Sequence, residues 1–225
     1  MSGHILAMGG GGVLSAGSKL EGLLLELSRE RRPKVAFLPT AAADSGERIA
    51  LFLDAFRGRE CEPEVVTLFG MPERPAERVA AADVVYVNGG NTANALAIWR
   101  VHGVDEALRE VWRNGGVLGG WSAGGICWFE DGLTDSFGPQ LRPLGDGLGF
   151  LSGSFCPHFD GEPERRPTYT RLVREGEVPS GLAADDDVAF HFEGTELVEV
   201  LTQRDGARGY EVTPDGERPL ETRLL

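Results

Sequence analysis

Val117-Leu118-Gly119-Gly120-Trp121-Ser122-Ala123-Gly124-Gly125 is an apolar run that enters a glycine-cleared turn with a serine at its centre. The spacing of Gly120, Ser122 and Gly124 is G-x-S-x-G. Missing side chains on both flanks let a backbone reverse sharply from strand to helix and project the serine hydroxyl as a nucleophile. In a chain with 32 glycines the motif alone decides little, because glycine turns after strands are common. Its surroundings decide more. Ile5-Leu6-Ala7-Met8, Val35-Ala36-Phe37-Leu38, Val65-Val66-Thr67-Leu68, Val84-Val85-Tyr86-Val87 and Val117-Leu118 read as buried strands. Between them, Leu20 to Arg29, Glu47 to Phe56 and Val104 to Arg113 carry helical periodicity, the last stopped by Asn114-Gly115-Gly116. This alternation predicts an α/β fold, a mostly parallel sheet wrapped by helices.

Several strands end in small or polar residues: Gly9 to Gly12, Pro39-Thr40-Ala41, Asn88 to Thr92 and the Ser122 turn. In open α/β sheets that carboxyl edge is where ligands bind. The four glycines from Gly9 lack G-x-G-x-x-G spacing, which argues against a dinucleotide site. The last third differs. Val188 to Val200 alternates around Glu193-Gly194, and Pro214-Asp215-Gly216 marks another turn, so C-terminal antiparallel hairpins are expected on the sheet. Gly161 to Thr168 reads as a polar, proline-bearing loop.

The length of 225 residues fits one domain spanning 1–225. A net charge of -13 argues against a nucleic-acid partner, and no apolar run approaches a membrane span or a signal segment, so a cytoplasmic protein without membrane association is expected. Cys61, Cys127 and Cys156 form no CxxC, which suggests neither a disulfide framework nor a zinc site; no metal or cofactor is expected. The thiols read as core packing residues rather than nucleophiles.

A serine needs a base, and of four histidines His158, in Cys156-Pro157-His158-Phe159, follows an apolar stretch at a turn. His4 and His102 read as surface positions and His191 as a half-exposed strand residue. The residue that orients the base is ambiguous among Asp135, Asp160 and the run Asp185-Asp186-Asp187, of which at most one member should point inward. Backbone donors for an oxyanion are available from Ala123, after the serine, and from Gly89 or Gly90, where Asn91 or Thr92 would also cap a helix.

Together Gly89-Gly90-Asn91-Thr92, Gly120-Trp121-Ser122-Ala123-Gly124, Pro157-His158-Phe159 and the segment from Gly181-Leu182 to Phe192 resemble the peptidase E family of serine peptidases, the aspartyl dipeptidases, and their relatives the cyanophycinases. The resemblance runs in order along nearly the whole chain. It implies a fold similar to class I glutamine amidotransferases, flavodoxin-like in its sheet, and a triad in the order nucleophile, base, acid. Carried over by position, Ser122 is the nucleophile, His158 the base and Asp186 the acid, an aspartate where aspartyl dipeptidase has glutamate. An arginine after the histidine, Arg165 or Arg166, falls where that family clamps the substrate aspartate; Asn91, Thr92 and Asp135 complete the substrate-binding candidates.

The expected activity is hydrolysis of short peptides, as a dipeptidase or exopeptidase, including Asp-X dipeptides, through an acyl-enzyme, by a monomer or homodimer. The alternatives are an esterase of α/β-hydrolase type using Ser122, Asp135 and His158, and a non-catalytic amidotransferase-like binding protein.

Overall fold

The computed structural model describes residues 2–15 and 17–225. In chain order the elements are β1 (His4–Met8), α1 (Lys19–Glu26), β2 (Lys34–Leu38), α2 (Gly46–Ala55), β3 (Glu62–Val65), α3 (Pro75–Ala80), β4 (Val84–Val87), α4 (Thr92–His102), α5 (Val104–Arg113), β5 (Val117–Trp121) and α6 (Ala123–Ile126). There follow β6 (Phe129–Thr134), β7 (Arg142–Pro143), β8 (Leu151–Cys156), α7 (Arg165–Glu175), β9 (Gly181–Ala184), β10 (Val188–Glu193), β11 (Glu196–Thr202), β12 (Gly209–Thr213), β13 (Gly216–Pro219) and β14 (Thr222–Leu224).

An eight-stranded sheet has the order β14-β11-β10-β1-β5-β4-β2-β3. Its half from β1 to β3 is parallel, and β10 then pairs antiparallel with β1. The strand alternation divides side chains between two cores. Leu6, Met8, Val84 and Tyr86 join Leu20 and Leu24 of α1 and Phe52 of α2 on one face. Ile5, Ala7, Val85 and Val87 join Leu96 and Trp99 of α4 and Leu108 of α5 on the other. Such strands are buried on both faces, which is why they read as continuous apolar runs.

Three expectations change here. The run Val65 to Leu68 is strand only to Val65. Beyond Val66, which still donates to Phe37 O, the Asp44 carboxylate takes the amides of Leu68 and Phe69 at 2.6 and 2.7 Å and draws the chain off the sheet edge. The hairpins do not all join one sheet. β10 and β11 extend the large sheet, whereas β12 and β13 belong to a second, six-stranded sheet of order β13-β12-β9-β8-β6-β7. Its inner face supplies Phe129, Leu151, Phe155 and Ala184 to the core that also holds Phe190 and Val200. Its other face buries Leu133, Cys156, Ala183 and Val212 under Tyr169, Leu172 and Val173 of α7. Gly161 to Thr168 is therefore loop only to Glu164; Pro167 lies in the first turn of α7, where its missing amide costs no helix bond. Among the described residues no helix is long and apolar enough to cross a membrane.

The end of β5 is packed backbone to backbone. A Cβ on Gly120 would lie 2.6 Å from Gly124 O and 2.7 Å from Val87 O, atoms fixed by the sheet and α6. Gly120→Ala is expected to lower the stability by about 1–3 kcal/mol, read as a reduced denaturant midpoint with an unchanged slope.

Candidate active site

Ser122 stands between β5 and α6 with φ 55° and ψ -114°, a conformation that costs a non-glycine residue about 1–3 kcal/mol. Neighbouring bonds impose it. Its amide donates to Met8 O at 3.0 Å, and its carbonyl accepts the amides of Gly125 and Ile126 at 2.8 and 2.9 Å. A Cβ on Gly124 would sit 2.5 Å from Val87 O, so only glycine lets α6 start this close to β4. The Ser122 hydroxyl has no hydrogen-bond partner among the described residues.

His158 follows β8 through Pro157, again with positive φ, 54°. The amide of Phe159 donates to Ala184 O at 2.9 Å and pins the turn to the end of β9. Nδ1 of the imidazole lies 2.7 Å from Asp186 Oδ1. That hydrogen bond holds the Asp186 carboxyl below its ordinary value, against an opposing effect of burial. An ionised carboxylate only accepts, so Nδ1 carries the proton and Nε2 is left with the lone pair a general base needs.

The end of β1 joins these parts. Met8 O holds the Ser122 amide, Gly9 donates to Val188 O at 2.9 Å, and Gly10 O accepts from Asp187 at 2.9 Å. A Cβ on Gly10, whose φ is 143°, would lie 2.2 Å from His158 Cε1 and 2.7 Å from Asp186 Oδ1. The imidazole and its carboxylate thus rest directly on the bare backbone of Gly10. The sequence marks Gly9 to Gly12 only as a small-residue strand end; that Gly10 is the floor under the histidine comes from the fold.

All three members of the acidic run turn inward, which corrects the expectation of one. Asp185 is buried and accepts the Arg208 amide at 3.0 Å, Asp186 meets His158, and Asp187 accepts from Gly12 N and Gln203 Nε2, each at 2.8 Å. The turn sends consecutive carboxylates to separate donors, Asp187 having φ 67°. Burial raises the Asp185 carboxyl, and its Oδ1 has no partner. Asp135 is exposed and makes no bond to His158, so the order Ser122, Asp135, His158 lacks its central contact. Asp160 also takes a different role, accepting the Asp186 amide at 2.8 Å.

Beside the serine, a Cβ on Gly89 would lie 3.3 Å from Ser122 Cβ. The amides of Gly89, Gly90 and Ala123 donate to no backbone or side-chain acceptor among the described residues. Gly90, with φ 140°, passes so close to Ala41 O that a Cβ would lie 2.2 Å from it. Asn91 caps α4, its Oδ1 accepting from Asn94 N at 2.9 Å, while its Nδ2 donates to Ser136 O at 2.8 Å. Thr92 is buried at the start of α4.

Neither candidate arginine offers a free guanidinium. Arg165 is buried, with Nε on Glu162 at 2.6 Å and Nη1 on Leu133 O at 2.9 Å. Arg166 pairs through Nε and Nη2 with the Glu217 carboxylate and lies over the rings of Phe159 and Tyr210. The remaining histidines stand apart: His191 is buried rather than half exposed, its Nε2 3.1 Å from Nδ1 of a partly buried His4. All three cysteines are buried, and burial pushes the Cys156 thiol up to about 12, far from a thiolate at neutral pH. No group of metal-binding side chains occurs among the described residues.

A family model described as peptidase family S51 matches residues 5–200. The uncharacterized peptidase YgaJ of Bacillus subtilis (strain 168) is 46% identical over 212 residues, covering 93% of this chain and 91% of that protein. Peptidase E of Citrobacter koseri is 33% identical over 106 residues, 46% of each chain. Among solved structures, a peptidase from an acI-B1 Actinobacterium superposes with a TM-score of 0.75 at 21% identity, covering 99% of this chain and 95% of that one, a likeness of fold.

The two perturbed aspartates predict opposite pH signatures. Asp186 is depressed, so its stabilising contribution is present above the ordinary aspartate value, about 3.9, and is lost as pH falls through its own lower value. The Tm deficit of Asp186→Asn should be widest near neutrality and should close on acidification. Asp185 is raised, so its ionised form costs stability above its own value. Asp185→Asn should raise Tm at neutral pH, an advantage that shrinks as the wild-type carboxyl protonates.

Proposed function

The chain belongs to peptidase family S51 and is a serine-type peptidase, and from that premise we propose that it hydrolyses short peptides through an acyl-enzyme formed on Ser122. The observation that carries this reading is the 2.7 Å hydrogen bond between His158 Nδ1 and Asp186 Oδ1, which rests on Gly10 at the end of the strand whose Met8 carbonyl holds the strained turn of Ser122. His158 Nε2 removes the hydroxyl proton as Ser122 Oγ attacks the scissile carbonyl, then returns it to the leaving amine. Asp186 orients the ring and stabilises the imidazolium. The developing oxyanion is met by the uncommitted amides of Ala123 and of Gly89 or Gly90, which need no reorganisation when the charge appears. Water, activated by the same imidazole, then releases the acyl group.

For the substrate we propose a short peptide whose N-terminal residue need not be acidic. The pairing of Arg165 with Glu162 and Leu133 O, and of Arg166 with Glu217, supports this reading: each guanidinium already faces a carboxylate of the chain, which offsets the charge an Asp-X clamp would offer to the substrate. Asp135, exposed next to the Ser136 carbonyl that holds Asn91, is the group we assign to the peptide's ammonium end. Asn91 and Thr92 act by shaping the oxyanion turn.

The test is a library of short peptides varied at both ends, with products read by mass spectrometry for the wild type and Ser122→Ala. Ser122-dependent release from many N-terminal residues is expected, together with labelling of the wild type by a serine-reactive phosphonate. Asp186→Asn should lower kcat by about 10⁴-fold, the cost of a misoriented imidazole. Cleavage confined to Asp-X dipeptides would overturn the substrate reading; turnover independent of Ser122 would overturn the mechanism.

A further inference from the structure

Two residues outside the proposed triad hold the peptide unit that carries its acid. Asp160 Oδ1 accepts the Asp186 amide at 2.8 Å. Arg204 Nη2 donates one hydrogen to the Asp186 carbonyl at 3.0 Å and the other to Asp160 Oδ2. The three contacts close a ring: carboxylate to amide, carbonyl to guanidinium, guanidinium back to carboxylate. Arg204 Nε also faces Asp187 Oδ2 at 3.3 Å. The arginine is fixed from behind, where Thr202 Oγ1 binds both the Arg204 amide at 3.0 Å and Asp187 O at 3.1 Å.

Asp160 lies two residues after His158, so the same two chain segments are linked twice. One link is side chain to side chain, His158 to Asp186; the other runs from the Asp160 side chain to the Asp186 backbone. A single hydrogen bond leaves rotation about itself free, whereas two that are not collinear fix orientation as well as distance. Gly161 completes the wrap: a Cβ there would be 2.3 Å from Asp186 Oδ2, so the segment folds round the carboxylate because that side chain is missing.

We propose that Asp160 and Arg204 are positioning residues, which set the angle at which Asp186 presents its carboxylate to His158 and through it the aim of Nε2 at Ser122. The proposal rests on the serine-peptidase reading of this site. A plain surface ion pair of this exposure would contribute little to folding and nothing to turnover. A positioning ring instead acts on the reactive geometry, in which a misplacement of about 1 Å costs on the order of 100-fold in rate.

The experiment compares Asp160→Ala, Asp160→Asn, Arg204→Ala and Arg204→Lys with the wild type. Readouts are kcat and KM on a peptide the wild type cleaves, Tm, and the proton NMR signal of the His158 Nδ1–H, identified by its loss in Asp186→Asn. Asp160→Ala and Arg204→Ala should lower kcat by about 10- to 100-fold, leave KM within about twofold, and move or broaden the Nδ1–H signal. Arg204→Lys should recover part of kcat by restoring one charged donor. Asp160→Asn, which keeps an acceptor for the Asp186 amide and the residue's size, provides a milder variant if the alanine fails to fold. Unchanged kcat with an unmoved signal, even with a lowered Tm, would reduce the ring to a structural ion pair. A raised KM at constant kcat would make these residues substrate contacts instead. The NMR signal does not depend on turnover, so the ring is tested even if Ser122→Ala shows the serine reading to be wrong.

Discussion

The position of β1 between a parallel neighbour and an antiparallel one is the constraint on which the site depends. In register, Met8 lies beside Trp121 of β5 on one side and Ala189 of β10 on the other. Because β5 runs with β1, residues after β5 reach the edge where β1 ends. Because β10 runs against it, residues before β10 reach the same edge. Ser122 and Asp186 therefore converge although one follows its strand and the other precedes it. Had β10 been parallel, the acidic turn would lie at the opposite edge, about five residues of strand away.

The contact that joins the two sides is backbone alone. Gly9 donates to Val188 at the start of β10 and Gly10 accepts from Asp187 of the acidic turn, while the carbonyl before them holds the strained turn at Ser122. Side chains at Gly10 or Gly161 would occupy the volume of the His158 and Asp186 pair. Charge is arranged around the same spot with similar economy. Asp160, Asp186 and Asp187 meet Arg204, two backbone amides, one glutamine amide and one imidazole, so their mutual repulsion is offset without a metal-binding cluster among the described residues.

The large sheet and the elbow were legible because each leaves a local mark: strands buried on both faces become apolar runs, and a strained turn demands glycines around it. The second sheet leaves little mark. Phe129–Thr134 and Leu151–Cys156 mix one buried face with polar residues and glycine, and their parallel pairing joins segments far apart in sequence. The inward turn of Asp185, Asp186 and Asp187 was hidden for a related reason, since the donors that make it affordable, Gly12, Gln203, Arg204 and Arg208, lie on other segments. Arg165 and Arg166 illustrate the limit from the opposite direction. Their position after the histidine, and the pairing of Arg165 with Glu162 three residues before it, are local facts; their capture by Leu133 O and Glu217 is decided by where β6 and β13 run.

The proposed nucleophile and base do not belong to the same layer. Ser122 hangs from the large sheet, His158 is carried by β8 of the small one, and the chain crosses between layers at the acidic turn, from β9 to β10. The aromatic stack of Phe129 on Phe155 and the edge of Phe155 against Phe190 lie in the seam between them. The molecule is in this sense a vice whose jaws are two β-sheets and whose grip is an aromatic seam. Hydroxyl and imidazole make no hydrogen bond across that seam among the described residues, so the seat of one layer on the other, with every strand keeping its own hydrogen bonds, sets the gap that catalysis has to close.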